Sequence, residues 1–130
     1  MAPGATFRYL LMPKKPEAIL EDYLATLCAA RSWLYFKFTS PSRRGVPDRI
    51  IIGNNLTCFV EIKGTEKTPR LDQLRRMAQI NEAGGIATWV ASKDQIDQLV
   101  ATLDAGHLPT TRRPTFETLA SSAPIFYKEK

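Results

Sequence analysis

What this chain lacks narrows the reading before any motif is considered. No apolar run approaches the roughly 18 residues a membrane span requires, and the first 15 residues contain no signal-peptide core. There are only two cysteines, Cys28 and Cys58, each inside an apolar pattern and without the paired spacing of zinc ligands. They read as buried thiols in a reducing compartment. The single histidine, His107, stands beside a proline-containing segment, so no Cys/His cluster and no Ser/His pair is available. A phosphate-cradling glycine loop is also missing. What remains is an ordinary globular composition, 44% hydrophobic and 24% charged over 130 residues, which suits one domain with a real core.

The net charge of +5 is unevenly spread. Residues 31–76 hold ten Lys/Arg against four acids, a local net of +6, and the rest of the chain nets −1. A central basic segment of this kind suits a polyanion such as nucleic acid.

In chain order, residues 1–15 read as an arm, with a short extended piece at Phe7–Leu11. Pro16 fits the first turn of a helix running to about Arg31. Its buried face is Ile19, Leu20, Tyr23, Leu24, Leu27 and Cys28. At about 100° per residue, Glu17 falls beside Leu24 and Cys28 at the edge of that face, and Glu21 lies about 40° further out. Trp33–Phe38 is aromatic and β-prone. A polar loop, Thr39–Gly45, leads to strands at about 47–53 and 56–63, joined through Asn54-Asn55. Thr68-Pro69 reads as an N-cap followed by the first position of a second helix, which ends at Gly84-Gly85. Its apolar arc is Leu71, Leu74, Met77, Ala78 and Ile80, with the polar Gln73 inside it. Ile86–Ala91 reads as a buried strand. Ser92 with Gln95 opens a third helix as a capping box, its stripe formed by Ile96, Leu99, Val100 and Leu103. From His107 onward, prolines, Ser/Thr pairs and scattered aromatics suggest an extended tail that wraps either the body or a second subunit. The expected units are an arm at 1–15, a domain at 16–106 and a tail at 107–130. This order predicts an α/β or α+β fold, a mixed sheet flanked by helices.

The chemistry concentrates in Gly45-Val46-Pro47-Asp48-Arg49-Ile50-Ile51-Ile52 and Phe59-Val60-Glu61-Ile62-Lys63. A two-residue turn at Asn54-Asn55 pairs Gly53 with Leu56, and counting back sets Asp48 opposite Glu61. Opposed residues share a face with Cβ atoms about 5 Å apart, and alternation adds Lys63 to that face. Two facing carboxylates repel unless a cation sits between them or one holds a proton. Mg²⁺ or Mn²⁺, with oxygen ligands and several retained waters, meets that demand. Asp48 and Glu61 are the expected ligands, with Glu17 as a third, Glu21 as its less favoured substitute, and the Ile62 carbonyl as a backbone ligand. Lys63 then reaches the attacking water or the scissile phosphate. Lys37, Arg43, Arg44, Lys67 and Arg70 flank the cluster and are expected to hold phosphates.

The series Glu17…Glu21, Lys37-Phe38-Thr39-Ser40, Arg44-Gly45-Val46-Pro47-Asp48-Arg49, Phe59-Val60-Glu61-Ile62-Lys63 and Gln73 resembles the virus-type replication-repair nuclease (VRR-NUC) domain, a branch of the PD-(D/E)XK nuclease superfamily. The resemblance covers roughly residues 16–91 and leaves the tail outside. It implies the restriction-endonuclease-like fold, divalent-metal-dependent DNA cleavage, and a catalytic core of Glu17, Asp48, Glu61, Lys63 and Gln73. Small members in phages and bacteria imply further a homodimer acting on branched DNA such as four-way junctions, in replication, repair or recombination, within the cytoplasm. The alternative is a non-catalytic DNA-binding module using the same basic surface.

Overall fold

A computed structural model describes residues 14–64 and 67–121. The extended piece expected at Phe7–Leu11 and the end of the tail lie outside the described residues. The elements are α1 (Pro16–Ala30), β1 (Leu34–Lys37), β2 (Arg49–Gly53), β3 (Leu56–Ile62), α2 (Leu71–Glu82), β4 (Ile86–Val90), α3 (Lys93–Asp104), a 3₁₀ turn (Thr110–Arg112) and α4 (Phe116–Ser121).

The four strands form one mixed sheet in the order β1-β2-β3-β4, antiparallel except for the parallel β3–β4 pair. Asn54 and Asn55 both take positive φ, +53° and +64°, the left-handed pair a two-residue hairpin turn requires. Gly53 faces Leu56 as the turn length dictates, and the ladder runs back to Arg49 opposite Val60. The turn is also anchored: Asn54 Nδ2 donates to the carbonyls of Leu103 (2.8 Å) and Asp104 (3.1 Å), satisfying the end of α3.

Strand alternation divides the core in two. On one face Ile51, Cys58, Val60, Ile62, Ile86 and Val90 pack under α1 and α3, meeting Leu20, Leu24, Cys28, Ile96 and Leu99. Cys28 and Cys58 are free and buried there, and burial pushes their thiols up to about 11 and about 12, which keeps both protonated at neutral pH. Ile19, expected on the buried stripe, is 41% exposed at its margin. On the other face Ala87, Trp89 and Phe59 meet Leu74, Met77 and Leu119 of α2 and α4. Leu71, expected in the buried arc, is half exposed.

Two expectations need correction. The second helix does not start at Pro69 behind a Thr68 cap. It starts at Leu71 with Arg70 as N-cap, because the Gln73 side-chain carbonyl accepts the Arg70 N–H at 2.9 Å and ends the extended approach there. The segment from His107 is also not extended as far as Ser121. Leu108 and Leu119 are fully buried, Trp89 Nε1 donates to the Leu119 carbonyl at 2.9 Å, and Asn81 Nδ2 donates to the Pro114 carbonyl at 2.9 Å. Asn81 also exchanges two hydrogen bonds with the Ala87 backbone, so one buried amide ties α2, β4 and the C-terminal segment together. The Ser92 cap is as expected, its Oγ accepting the Gln95 N–H, but Gln95 Oε1 reaches the N–H of Ala91, one residue before the usual partner.

Because α4 completes the core beside the central strands, Leu119→Ala should cost about 3 kcal/mol, the usual scale for a buried leucine cavity. Urea denaturation will measure it. An unchanged midpoint would mean that α4 is an appendage rather than part of the folding unit.

Candidate active site

Asp48 lies immediately before β2, where the Phe38 N–H donates to its carbonyl at 2.7 Å and extends the β1–β2 ladder. Continuing the β2–β3 register by one step from Arg49↔Val60 sets Asp48 against Glu61. Lys63 follows the end of β3, and its N–H donates to the Val90 carbonyl at 2.9 Å, so the backbone stays tied to β4 through this point. Lys63 Nζ stands 3.6 Å from Glu61 Oε2. The Glu61 side chain is 9% exposed, that of Lys63 16%, and that of Asp48 42%. The cluster therefore opens to solvent through Asp48 and is walled behind Glu61.

Burial is the main reason that the Glu61 carboxyl rises to about 7. The negative charge of Asp48 pushes in the same direction, Lys63 opposes it, and Glu17 adds a further upward push. Glu17 reaches this neighbourhood from the start of α1, where its backbone N comes close to Gly64 just past β3.

Glu21 goes elsewhere. Arg49 alternates with Asp48 and so turns to the α1 face, where its Nη2 pairs with Glu21 Oε1 at 2.8 Å. The same guanidinium returns through Nη1 to the Asp48 carbonyl (3.2 Å) and lies 3.6 Å from Asp48 Oδ2. Arg49 thus braces Asp48 from behind against α1, a connection that the sequence reading did not make. Gln73 is buried with its carbonyl committed to the Arg70 N–H, leaving its NH₂ group as the donor it can offer. The Ile62 side chain is buried in the core, which leaves only its backbone for the site.

Asp48 and Glu61 are each turned toward a neighbouring cation, Arg49 and Lys63. Among the described residues no three acidic, histidine or cysteine side chains are gathered closely enough to enclose an ion. The donor chemistry nonetheless fits a hard cation: carboxylates and a backbone carbonyl, with an acid at about 7 whose ionised form is under-compensated.

The basic residues expected at the rim are at the surface. Lys37 ends β1, Arg43 and Arg44 occupy the loop before Asp48, and Lys67 precedes α2, all exposed. Arg70 is half exposed and forks onto Asp72 (3.1 and 3.4 Å). Gly45, at φ +82°, brings the 43–45 loop down onto α2, where an added Cβ would lie 2.6 Å from the Asp72 carbonyl oxygen. Among the described residues no helix is long and apolar enough to cross a membrane.

No family model matches the chain. Over 79 residues it is 34% identical to the protein named "Putative nuclease p44" of Acyrthosiphon pisum secondary endosymbiont phage 1, a span covering 60% of this chain and 85% of that protein. A solved VRR_NUC domain superposes with a TM-score of 0.62 at 26% sequence identity, covering 68% of this chain and 97% of its own. The mixed four-stranded sheet between helices matches that nuclease fold, and the chain belongs to the VRR-NUC nuclease domain family.

Proposed function

We propose that the protein is a divalent-metal-dependent DNA endonuclease, selective for branched DNA such as four-way junctions and acting as a homodimer. The observation that carries the nuclease reading is the buried Glu61, opposed by Asp48 and touched by Lys63 on one face of the sheet. A protein that only binds DNA gains nothing from opposed carboxylates, which repel phosphate.

Asp48 and Glu61 would hold Mg²⁺ or Mn²⁺, with Glu17 and the Ile62 carbonyl completing the protein ligands. The ion, when bound, supplies charge neutralisation at the phosphoryl oxygens and an acidified water. Glu61 must give up its proton to act as a ligand, and Lys63, 3.6 Å away, stabilises the carboxylate it leaves. Lys63 then donates toward the phosphate oxygen on which charge grows. The Gln73 NH₂, on an amide whose plane is fixed by the Arg70 N–H, would serve as a further donor to the phosphate. Arg49 holds Asp48 in line through its contacts with Glu21. Lys37, Arg43, Arg44, Lys67 and Arg70 neutralise flanking phosphates, which gives affinity without sequence information. Two sites related by a two-fold axis would suit paired nicks across a junction.

A panel of labelled junction, flap, bubble and duplex substrates, each with Mg²⁺, Mn²⁺ or EDTA, tests the proposal. Expected are ion-dependent nicks, strongest on the junction, with none in EDTA. Salt-sensitive binding without cleavage under either ion would instead establish a DNA-binding module.

A further inference from the structure

Beyond the carboxylate cluster, the outer face of α2 carries a second concentration of charge. Asp72, Arg75, Arg76 and Gln79 occur at i, i+3, i+4 and i+7, the spacing that lines one side of a helix. With Arg44 from the loop that Gly45 presses onto α2, they line a cavity of about 220 Å³. That is smaller than the few hundred Å³ of an ordinary small-molecule pocket, but it suits a single phosphate group.

The cavity is organised before any ligand arrives. Arg76 Nη1 donates to Gln79 Oε1 at 2.8 Å, and its Nε approaches the Arg44 carbonyl at 3.4 Å. These contacts fix the guanidinium plane and leave it further N–H donors. The one acid in the lining, Asp72, is already taken: Arg70 forks onto it from outside the cavity and holds its carboxyl below the usual range. Arg44 approaches Asp72 only to 3.9 Å and is 85% exposed. Arg75 is exposed and has no carboxylate partner among the described residues. Three guanidinium groups therefore face a space whose single negative charge is neutralised from behind, an arrangement suited to a phosphate.

We infer that Arg44, Arg75, Arg76 and Gln79 form a binding site for one backbone phosphodiester of the DNA strand, separate from the position that is cut. The inference rests on the nuclease reading for its choice of DNA as the polyanion. Along the helix axis Arg76 and Gln79 lie about 5 and 9 Å beyond Gln73. At about 3.4 Å of rise per nucleotide of one strand, that displacement corresponds to one to three nucleotides. The site would thus fix the strand at a set remove from Gln73 at the start of α2.

The test is the salt dependence of binding, measured by fluorescence anisotropy in EDTA with a labelled four-way junction, so that no cleavage is needed. The double variant R75Q/R76Q removes two of the guanidinium groups while keeping good helix formers on the outer side of α2. It is expected to bind about tenfold more weakly. The slope of log K against log salt should become shallower by about 1, the loss of one phosphate contact. R44Q should show the same direction of change, and K93Q, on the distant α3, should leave both quantities unchanged. A 5′-phosphorylated and a 5′-hydroxyl single strand should bind alike. Binding that required the terminal phosphate would overturn the backbone assignment. An R75Q/R76Q protein with wild-type affinity and slope, folded by its melting curve, would overturn the site altogether. Wild-type protein that shows the arginine-dependent slope yet never cuts DNA would leave the phosphate site standing and remove the nuclease reading.

Discussion

Lys63→Ala protein will fold, melt close to the wild-type temperature in EDTA, and cut DNA about 10²–10³-fold more slowly, the scale of one lost electrostatic stabiliser of the transition state. The reason that folding survives lies in Glu61. Without the ammonium group 3.6 Å away, the buried carboxyl keeps its proton to still higher pH, so no bare charge is left inside the protein. Asp48→Asn should be at least as damaging to cleavage because it removes an ion ligand. Its effect on the metal-free fold runs the other way: it takes away a charge that pushes on Glu61, so the melting temperature should hold or rise. Single-turnover cleavage beside melting curves reads both quantities. Wild-type cleavage rates in these two variants would remove Lys63 and Asp48 from the active site.

The second large effect is on stability against pH without metal. The Glu61 carboxyl moves from an ordinary 4.5 to about 7 on folding. Between those values the folded chain holds a proton that the unfolded chain has released, so stability falls as pH rises. The stabilisation is fully present below about 4.5 and gone above about 7. A shift of this size corresponds to about 3 kcal/mol. In EDTA the melting temperature should therefore drop by about 10 °C between pH 5 and pH 8. Glu61→Gln, which cannot ionise, should flatten that part of the curve. Divalent cation should oppose the loss most strongly above pH 7, where it need not displace a proton. A wild-type curve that stays level or rises over this range, and does not differ from that of Glu61→Gln, would show that Glu61 is not held neutral by its surroundings.

Much of the central hairpin was legible in the sequence because its determinants are local. Asn54-Asn55 specifies a two-residue turn, the turn specifies the register, and the register sets Asp48 against Glu61. The stripes of α1 and α3 were legible for a similar reason, since helical period alone identifies Leu20, Leu24 and Cys28, or Ile96, Leu99, Val100 and Leu103. What escaped depends on partners distant in the chain. The last helix forms where Trp89, Asn81 and the α2 surface receive it, and none of those contacts leaves a periodic signal in residues 107–121. The start of α2 turned on which of two consecutive caps the chain uses, and the deciding group was the Gln73 amide three residues into the helix. Gln73 and Asn81 share a signal: each is a polar amide placed where its helix needs an apolar residue, and each is buried, Asn81 with both ends of its amide bonded and Gln73 with its carbonyl bonded to the Arg70 N–H. For Arg49 the clue was strand alternation, which turned it toward α1 and away from Asp48's face.

The Asn54-Asn55 turn, pinned to the end of α3 by Asn54, also acts as a ruler. It lies six residues from Asp48, about 20 Å of strand, yet its length decides which side chains meet there. Adding or removing one residue in this turn shifts the ladder by one step and sends either Asp48 or Glu61 to the α1 face. The 39–47 connection and the one that follows Lys63 carry no such constraint, because the strands they leave are already registered. Descendants of this chain can therefore lengthen, shorten or recharge those loops and change which DNA they hold. The hairpin must keep its count, so the means of cutting is inherited as a length and the choice of substrate as a set of loops.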